Sequence, residues 1–164
     1  IDLLVKAFNQ LDLPLIIVGN GPEKKQLMKN AKNNISFLNY QDDFVVKELM
    51  EKCRAFVYAG IEDFGIAPVE AMAAGAPIIA LNKGGILDTV NCIRSKNKVS
   101  TGLLFNNQSD KGLRDCVNYF EEKKLWLEFS SEDINLWSQN FSISSFKKKF
   151  INFTDKSLLK FKKK

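Results

Sequence analysis

Short apolar runs alternate with amphipathic stretches along the whole chain. The run Leu15–Val18 follows Pro14 and stops at Gly19, which is typical of a buried strand between turns. Residues 2–11 instead repeat apolar side chains at the spacing of an amphipathic helix. The same criteria predict five strands: Leu15–Val18, Ile35–Leu38, Ala55–Tyr58, Pro77–Ala80 and Gly102–Phe105.

Helical stretches separate these strands. Pro22 suits the first turn of one helix, and Asp42 or Asp43 suits the cap of the next. Ser109 or Asp110 is expected to cap a later helix in the same way. The predicted helices cover residues 2–11, 22–32, 43–52, 66–74, 86–90 and 110–122, and the remainder is helical with breaks near Ser130 and Ser142.

The alternation predicts the fold class. Short apolar strands separated by helices specify a parallel sheet covered on both faces. With right-handed crossovers, the fold is α/β with a Rossmann-like doubly wound parallel sheet. The predicted units are a domain over residues 1–141 and a basic helical tail over 142–164. Such sheets bind ligands at the carboxyl ends of their strands. The loops at these ends are Gly19–Pro22, Leu38–Asp42, Gly60–Gly65 and Leu81–Gly85.

Composition narrows the chemistry that the chain can perform. With 45% hydrophobic and 26% charged residues among 164, it is typical of a soluble globular domain. The absence of histidine removes the commonest metal ligand and the commonest general base at neutral pH. The three cysteines are widely spaced, so we expect buried thiols in a reducing cytosol rather than disulfides or a zinc site. The sequence therefore predicts a site without a metal.

The net charge of +5 is concentrated at the end of the chain. From Phe146 onward, eight lysines accompany a single acid, Asp155, and apolar residues are interleaved with them. Two interpretations are open: a basic amphipathic helix at an anionic membrane surface, or a terminal helix whose apolar side packs on the domain. No recognition motif accompanies the lysines, so nucleic acid is not predicted as a partner.

The loop after the third strand contains the most informative group of residues. It leads into a predicted helix whose first amides and partial positive charge suit a phosphate group. Gly65 allows a ligand to approach the backbone closely. Glu62 precedes this helix start and Glu70 lies about one turn inside it, so the two acids can hold opposite ends of one ligand. Because carboxylates accept from vicinal hydroxyls, a sugar-like ligand is indicated.

The segment EDFGIAPVEAMAAGAPIIA, which begins at Glu62, resembles the signature of the GT-B-fold retaining glycosyltransferases of family GT4. The resemblance covers nearly the whole chain and is greatest to bacterial mannosyltransferases that build lipopolysaccharide or other surface polysaccharide. Further matching segments follow the family's order: Gly19–Pro22, Ile35–Tyr40, Asn82–Gly85, Thr101–Phe105 and Phe141–Phe146.

The resemblance implies a role for each matching residue. Glu62 is expected to contact hydroxyls of the donor sugar and so to act in catalysis, and Glu70 is expected to hold the ribose. The other implied donor contacts are the backbone amides of Phe64, Gly65 and Ile66, the base-facing residues Leu38, Asn39 and Tyr40, and the glycines Gly19, Gly21, Gly84 and Gly85. For the last two glycines, a plain turn is the alternative.

One part of the family's site is not matched. Members carry an Arg and a Lys just before the first helix, where the two cations neutralise the diphosphate. This sequence begins at Ile1, and its Lys6 lies in another part of the pattern. The first strand and the acceptor-binding domain are expected upstream as well. The chain is therefore predicted to supply half of an active site and to catalyse nothing alone.

The resemblance also implies a function for the parent protein. It is expected to transfer a sugar from a nucleotide sugar, GDP-mannose, to a glycan or lipid-linked acceptor without a cofactor. Its expected location is the cytoplasm, either free or at the inner face of the plasma membrane. Two alternatives are a nucleotide-sugar binding or regulatory module without turnover, and a non-hydrolysing epimerase, against which the absence of histidine counts.

Overall fold

The computed structural model describes residues 1–95 and 99–161, so Lys162–Lys164 of the predicted tail lie outside the described residues. Within the described ranges, the predicted alternation of strands and helices is confirmed. The helices are α1 (Asp2–Leu11), α2 (Lys24–Asn30), α3 (Asp43–Lys52), α4 (Ile66–Ala73), α5 (Ile86–Thr89), α6 (Asp110–Glu122), α7 (Ser131–Ser138) and α8 (Ile143–Phe161). Short 3-10 turns occupy Leu125–Leu127 and Gln139–Phe141.

The strands form two parallel sheets. They are β1 (Leu15–Val18), β2 (Ile35–Leu38), β3 (Phe56–Tyr58), β4 (Ile78–Leu81) and β5 (Gly102–Phe105). β1 pairs with β2, and β4 pairs with both β3 and β5, always in parallel. The α/β class with parallel strands is thus confirmed. The strands fall into two ladders, since no backbone hydrogen bonds join β1 to β3 in the part of the chain that the structure describes.

A common hydrophobic core joins the two sheets. α1 and α6 cover one face, where Phe8 and Phe120 are buried beside residues of β4 and β5. Ile17 of β1 packs against the same core. α4 and α7 cover the opposite face of the β3–β4–β5 sheet through Met72 and Ile134. Because β4 and β5 are buried on both faces, their sequences are apolar throughout.

Several element boundaries differ from the predictions by one or two residues, and backbone hydrogen bonding explains two of these differences. β4 begins at Ile78 rather than Pro77, since proline has no N–H to donate, and its carbonyl accepts from the Phe56 amide at 2.9 Å. α2 begins at Lys24 rather than at the preceding proline, because the Lys24 amide closes a turn on the Gly21 carbonyl at 3.1 Å. This later start places the Lys24 side chain beside the ends of β1 and β2.

Predicted side-chain caps begin two of the helices. Asp42 accepts from the Val45 amide at 2.9 Å, so the first of the two candidate aspartates caps α3. Ser109 accepts from the Gly112 amide at 3.0 Å and caps α6. Each cap satisfies an amide that the start of a helix leaves without an intrahelical partner.

The helix α8 packs little against the rest of the domain. None of its described residues is buried, and it adjoins the turn Gln139–Phe141, where Lys149 donates to the Asn140 carbonyl at 3.1 Å. The rings of Phe146 and Phe150 stack on each other, with centroids 5.7 Å apart. Packing of the tail on the core is therefore not observed among the described residues. No described helix is both long enough and apolar enough to cross a bilayer.

Candidate functional site

The loop after β3 and the start of α4 form an open cleft of ≈ 690 Å³. Small-molecule sites commonly have volumes of about 300–1,000 Å³, so the cleft can hold a ligand of nucleotide size. Predicted donor residues form most of its lining: Glu62, Phe64, Gly65, Ile66 and Glu70. Ile61, Asp63 and Ala67 complete it. The structure thus brings together the two acids and the helix start that the sequence associated.

α4 presents an uncapped helix start to this cleft. Gly65 occupies the N-cap position with a φ of 82°, a left-handed conformation that favours glycine. In the described part of the chain, no side chain accepts from the first amides of α4. The amides of Ile66 and Ala67 and the partial positive charge of the helix start are therefore available to a ligand, as in phosphate sites at helix starts.

The side chains around the cleft are acidic. Glu62, Asp63 and Glu70 are exposed there, and the described lining residues include no Lys or Arg. Carboxylates accept well from hydroxyls but repel a phosphate, so the cation that balances a diphosphate has to come from outside this lining. Among the described residues, no group of three or more His, Cys, Asp or Glu side chains is arranged to hold a metal ion.

Tyr58, at the end of β3, supports Glu62 and was not found by the sequence analysis. Burial, together with the Glu62 carboxylate that accepts from the phenol, raises the pKa of Tyr58 to about 12. A Cβ added to Gly60 would lie 3.0 Å from the Tyr58 hydroxyl, so the glycine leaves room for the ring to reach the acid. No sequence pattern pairs a strand tyrosine with a carboxylate four residues later.

Gly84 and Gly85 lie against the backbone of the donor loop and do not line the cleft. The Gly85 amide donates to the Glu62 carbonyl at 2.8 Å. A Cβ added to Gly85 would lie 2.2 Å from the Asp63 carbonyl oxygen. A Cβ added to Gly84 would lie 2.5 Å from the Glu62 carbonyl oxygen. The structure therefore assigns these glycines a packing role that fixes the position of the loop.

The other predicted donor residues form a second group at the ends of β1 and β2, outside the cleft lining. The Gly19 amide donates to the Leu38 carbonyl at 3.2 Å, which holds the glycine turn against the base-facing segment. Asn39 is exposed, and Tyr40 is 76% exposed. Gly21 lies in an open turn, where an added Cβ would meet nothing within 4 Å. Both groups of predicted residues lie at carboxyl ends of strands.

Aromatic contacts connect the donor loop to the C-terminal segment. The rings of Phe64 and Phe141 meet edge to face with centroids 6.0 Å apart, and Trp137 meets Phe141 in the same manner at 6.3 Å. The Trp137 indole N–H donates to the Thr89 carbonyl at 2.8 Å, which fixes this indole beside α5. Phe64 is therefore supported by residues far along the chain, and no local pattern predicts such a contact.

Comparison with known families decides the assignment. A family model described as glycosyl transferases group 1 matches residues 1–134. The chain belongs to the group 1 glycosyltransferases. It is 41% identical over 91 residues to alpha-1,3/1,6-mannosyltransferase ALG2 of Rhizomucor pusillus, across 53% of this chain and 19% of that protein. It is 27% identical over 143 residues to a glycogen synthase of Elusimicrobium minutum, across 77% of this chain and 29% of that protein.

A solved structure supports the fold of this group 1 chain. Anabaena HepE in complex with UDP and glucose matches with a TM-score of 0.72 and 23% identity, across 93% of this chain and 44% of that one. The predicted resemblance and the predicted fold class are both confirmed. The chain spans less than a third of the two curated relatives and less than half of the solved structure.

In this group 1 glycosyltransferase, Tyr58→Phe is expected to remove a phenol that ionises at a higher pH than an ordinary tyrosine. Because the fold favours the neutral phenol, Tyr58 stays a hydrogen-bond donor to Glu62 up to high pH. The stability that this preference contributes is present below the unfolded pKa of 10.0 and is lost as pH rises from there through about 12. Titration of near-ultraviolet tyrosinate absorbance should show a difference between wild type and variant centred near pH 12.

The denatured proteins provide the control for this titration. In strong denaturant, the difference between wild type and Tyr58→Phe should move to the ordinary tyrosine pKa of 10.0. A difference centred at that ordinary value in the folded proteins as well would show that neither burial nor Glu62 acts on the Tyr58 hydroxyl.

Proposed function

We propose that this chain is the nucleotide-sugar-binding domain of a retaining glycosyltransferase. The observation that carries the proposal is the cleft in which an uncapped helix start lies between two exposed carboxylates, Glu62 and Glu70. Hydroxyl groups at both ends of a ligand and a phosphate in the middle match this order of acceptor, donor and acceptor. A nucleotide sugar has its ribose, diphosphate and hexose in that order.

Each part of the proposed donor site then has one task. Glu62 binds hydroxyls of the donor sugar and orients it, while Glu70 binds the ribose hydroxyls. The backbone amides of Phe64, Gly65 and Ile66 bind the diphosphate and the adjoining sugar. Leu38, Asn39 and Tyr40 contact the base, and the Gly19–Gly21 turn closes the site beside them. Gly84 and Gly85 act through the backbone of the loop that carries Glu62.

The proposed reaction requires no metal, cofactor or protein nucleophile. Negative charge develops on the nucleoside diphosphate as its bond to the sugar breaks, and fixed amides at the helix start stabilise that charge. The acidic cleft cannot balance the diphosphate by itself, which supports the proposal that an Arg and a Lys from upstream complete the site. The acceptor is proposed to bind the upstream domain, so this chain alone has no turnover.

The proposed donor is GDP-mannose, and the proposed product belongs to surface polysaccharide or lipopolysaccharide. Similarity to an alpha-1,3/1,6-mannosyltransferase supports mannose. Similarity to a glycogen synthase is the reason to compare GDP with other nucleotides in the test below. A donor-binding or regulatory module without turnover is the second candidate, favoured by a described cleft lining that carries no Lys or Arg to stabilise a leaving diphosphate.

Calorimetric titration of the full-length protein with GDP, UDP and ADP tests the proposal. Binding of GDP in preference to the other two, together with release of GDP from GDP-mannose when acceptor is added, is the expected result. Binding without sugar release under any acceptor condition would identify the regulatory module. If none of the three nucleotides binds, the assignment of the cleft to a nucleotide sugar is wrong.

For the location of the protein, we propose the cytoplasmic face of an anionic membrane, with α8 as the contact. The helix has no buried residue, and Phe146, Phe150 and Phe153 are 56–70% exposed on one side of it. Lys148 and Lys156 lie outside that apolar side, as lysines do in helices that lie in the membrane interface. Each such lysine contributes about 1 kcal/mol near an anionic surface.

The full-length protein is expected to sediment with phosphatidylglycerol-containing vesicles and not with pure phosphatidylcholine vesicles, and salt should weaken this binding. Phe146→Ser with Phe150→Ser should abolish the association, whereas Asn152→Ala on the polar side should not. Equal sedimentation of wild type and the double variant would contradict the proposed contact. It would indicate that the apolar side of α8 packs against another part of the protein instead.

A further inference from the structure

The ammonium group of Lys24 joins the two segments that follow β1 and β2. Its Nζ lies 3.2 Å from the Gly19 carbonyl oxygen and 3.0 Å from the Leu38 carbonyl oxygen. It also lies 3.2 Å from Oδ1 of Asn20 and 2.8 Å from Oδ1 of Asn39. These contacts gather one backbone carbonyl and one side-chain amide from each segment around a single cation.

All four acceptors are neutral, although an ammonium binds most strongly to carboxylates. The backbone ladder between β1 and β2 ends at the pair Val18 and Leu38. Past this point, the Gly19 amide still donates to the Leu38 carbonyl. Beyond that bond, the hydrogen bonds of Lys24 connect the two segments. The spacing of the segments therefore depends on this side chain.

The contacts also fix the orientation of two amide groups. A lysine can only donate, so Oδ1 of Asn20 and Oδ1 of Asn39 must face Nζ. The NH2 group of each asparagine consequently points away from the cation on an exposed side chain. Two oriented N–H donors at the ends of two strands suit a carbonyl oxygen on a ligand.

We propose that Lys24 is a positioning residue for the base end of the donor site and that it selects a nucleobase with carbonyl oxygens. The inference rests on the proposed function, since it takes the β1 and β2 ends as the place of the base. Guanine and uracil carry carbonyl oxygens that can accept from the asparagine NH2 groups, and adenine carries none. Lys24 acts by holding Asn20 and Asn39 in place and does not touch the reacting atoms.

Calorimetry on the full-length protein with GDP, UDP and ADP tests this inference through Lys24→Met. The wild type is expected to prefer GDP or UDP over ADP. The variant should lose about tenfold in affinity for the preferred nucleotide, which corresponds to 1.4 kcal/mol. Its affinity for ADP should change much less, so the preference among bases should largely disappear. In kinetic assays, KM for the nucleotide sugar should rise while kcat is kept.

Two further variants separate positioning from a general structural role. Lys24→Arg keeps a cation with several donors and should retain most of the preference. Lys25→Met alters the exposed neighbouring lysine and should match the wild type. An unchanged preference in Lys24→Met, or equal losses for all three nucleotides together with a lower Tm, would overturn the inference. Failure of the wild type to bind any of the nucleotides would instead overturn the proposed function itself.

Discussion

Glu70→Ala is expected to weaken nucleotide binding by roughly 10- to 100-fold, because hydrogen bonds to a charged acceptor contribute about 1.5–3 kcal/mol. Glu70 is exposed in the cleft about one turn inside α4, where its carboxylate can accept from both ribose hydroxyls. Calorimetry with the nucleoside diphosphate that binds the wild type measures the loss. The corresponding 2′,3′-dideoxynucleotide, which lacks both hydroxyls, should bind wild type and variant equally.

The control for this prediction is another exposed helical glutamate. Glu122 lies at the end of α6 and outside the cleft lining, so Glu122→Ala should leave nucleotide affinity unchanged. The free energy of unfolding should change little in either variant, since neither glutamate is buried. Wild-type affinity in Glu70→Ala would show that the ribose is held elsewhere, although the cleft could still bind the phosphate.

Local sequence patterns were sufficient to predict the elements and the proximity of one group of candidate site residues. Residues 15–18 and 35–38 form strands as predicted, because short apolar runs between turn residues have few other stable conformations. Glu62 and Glu70 line one cleft. A loop and the first turns of the helix that follows it are adjacent in space, and this holds independently of how the rest of the chain folds. Short-range geometry of this kind is encoded in spacing alone.

Contacts between distant segments could not be predicted in the same way. The role of Gly85 depends on the carbonyl of Asp63, and the role of Lys24 depends on two strand ends that are brought together by pairing. From the sequence, Gly84 and Gly85 were assigned either to ligand contacts or to a turn. A glycine pair indicates conformational freedom of the backbone, but it does not indicate which atoms will pack against the two residues.

The two groups of predicted donor residues have different physical characters. The cleft around Glu62 and Glu70 supplies acceptors and helix-end amides, which suits the sugar, the ribose and the diphosphate. The ends of β1 and β2 supply a cation and oriented amides, which suits the edge of a base. A single nucleotide sugar that spans both groups would explain why acceptors and donors are separated along this edge of the strands.

Gly85→Ala is expected to destabilise the domain and to displace the donor loop. The added Cβ would lie 2.2 Å from the Asp63 carbonyl oxygen and 2.6 Å from the Phe64 Cα, so backbone atoms rather than a flexible side chain must move. Overpacking of this kind typically costs about 1–3 kcal/mol, which lowers Tm by several degrees in a domain of this size. The same movement displaces Glu62, whose carbonyl accepts from the Gly85 amide.

Nucleotide affinity and activity should therefore fall further than the lost stability alone explains. A misplacement of about 1 Å at a positioning group can cost on the order of a hundredfold in rate. Lys83→Ala, in the same turn but exposed, should leave Tm, affinity and activity near wild-type values. Measurements below the Tm of the variant isolate the effect on the loop. If folded Gly85→Ala binds nucleotide as the wild type does, the glycine turn does not set the position of the donor loop, and Glu62 must be held by Tyr58 and the start of α4 alone.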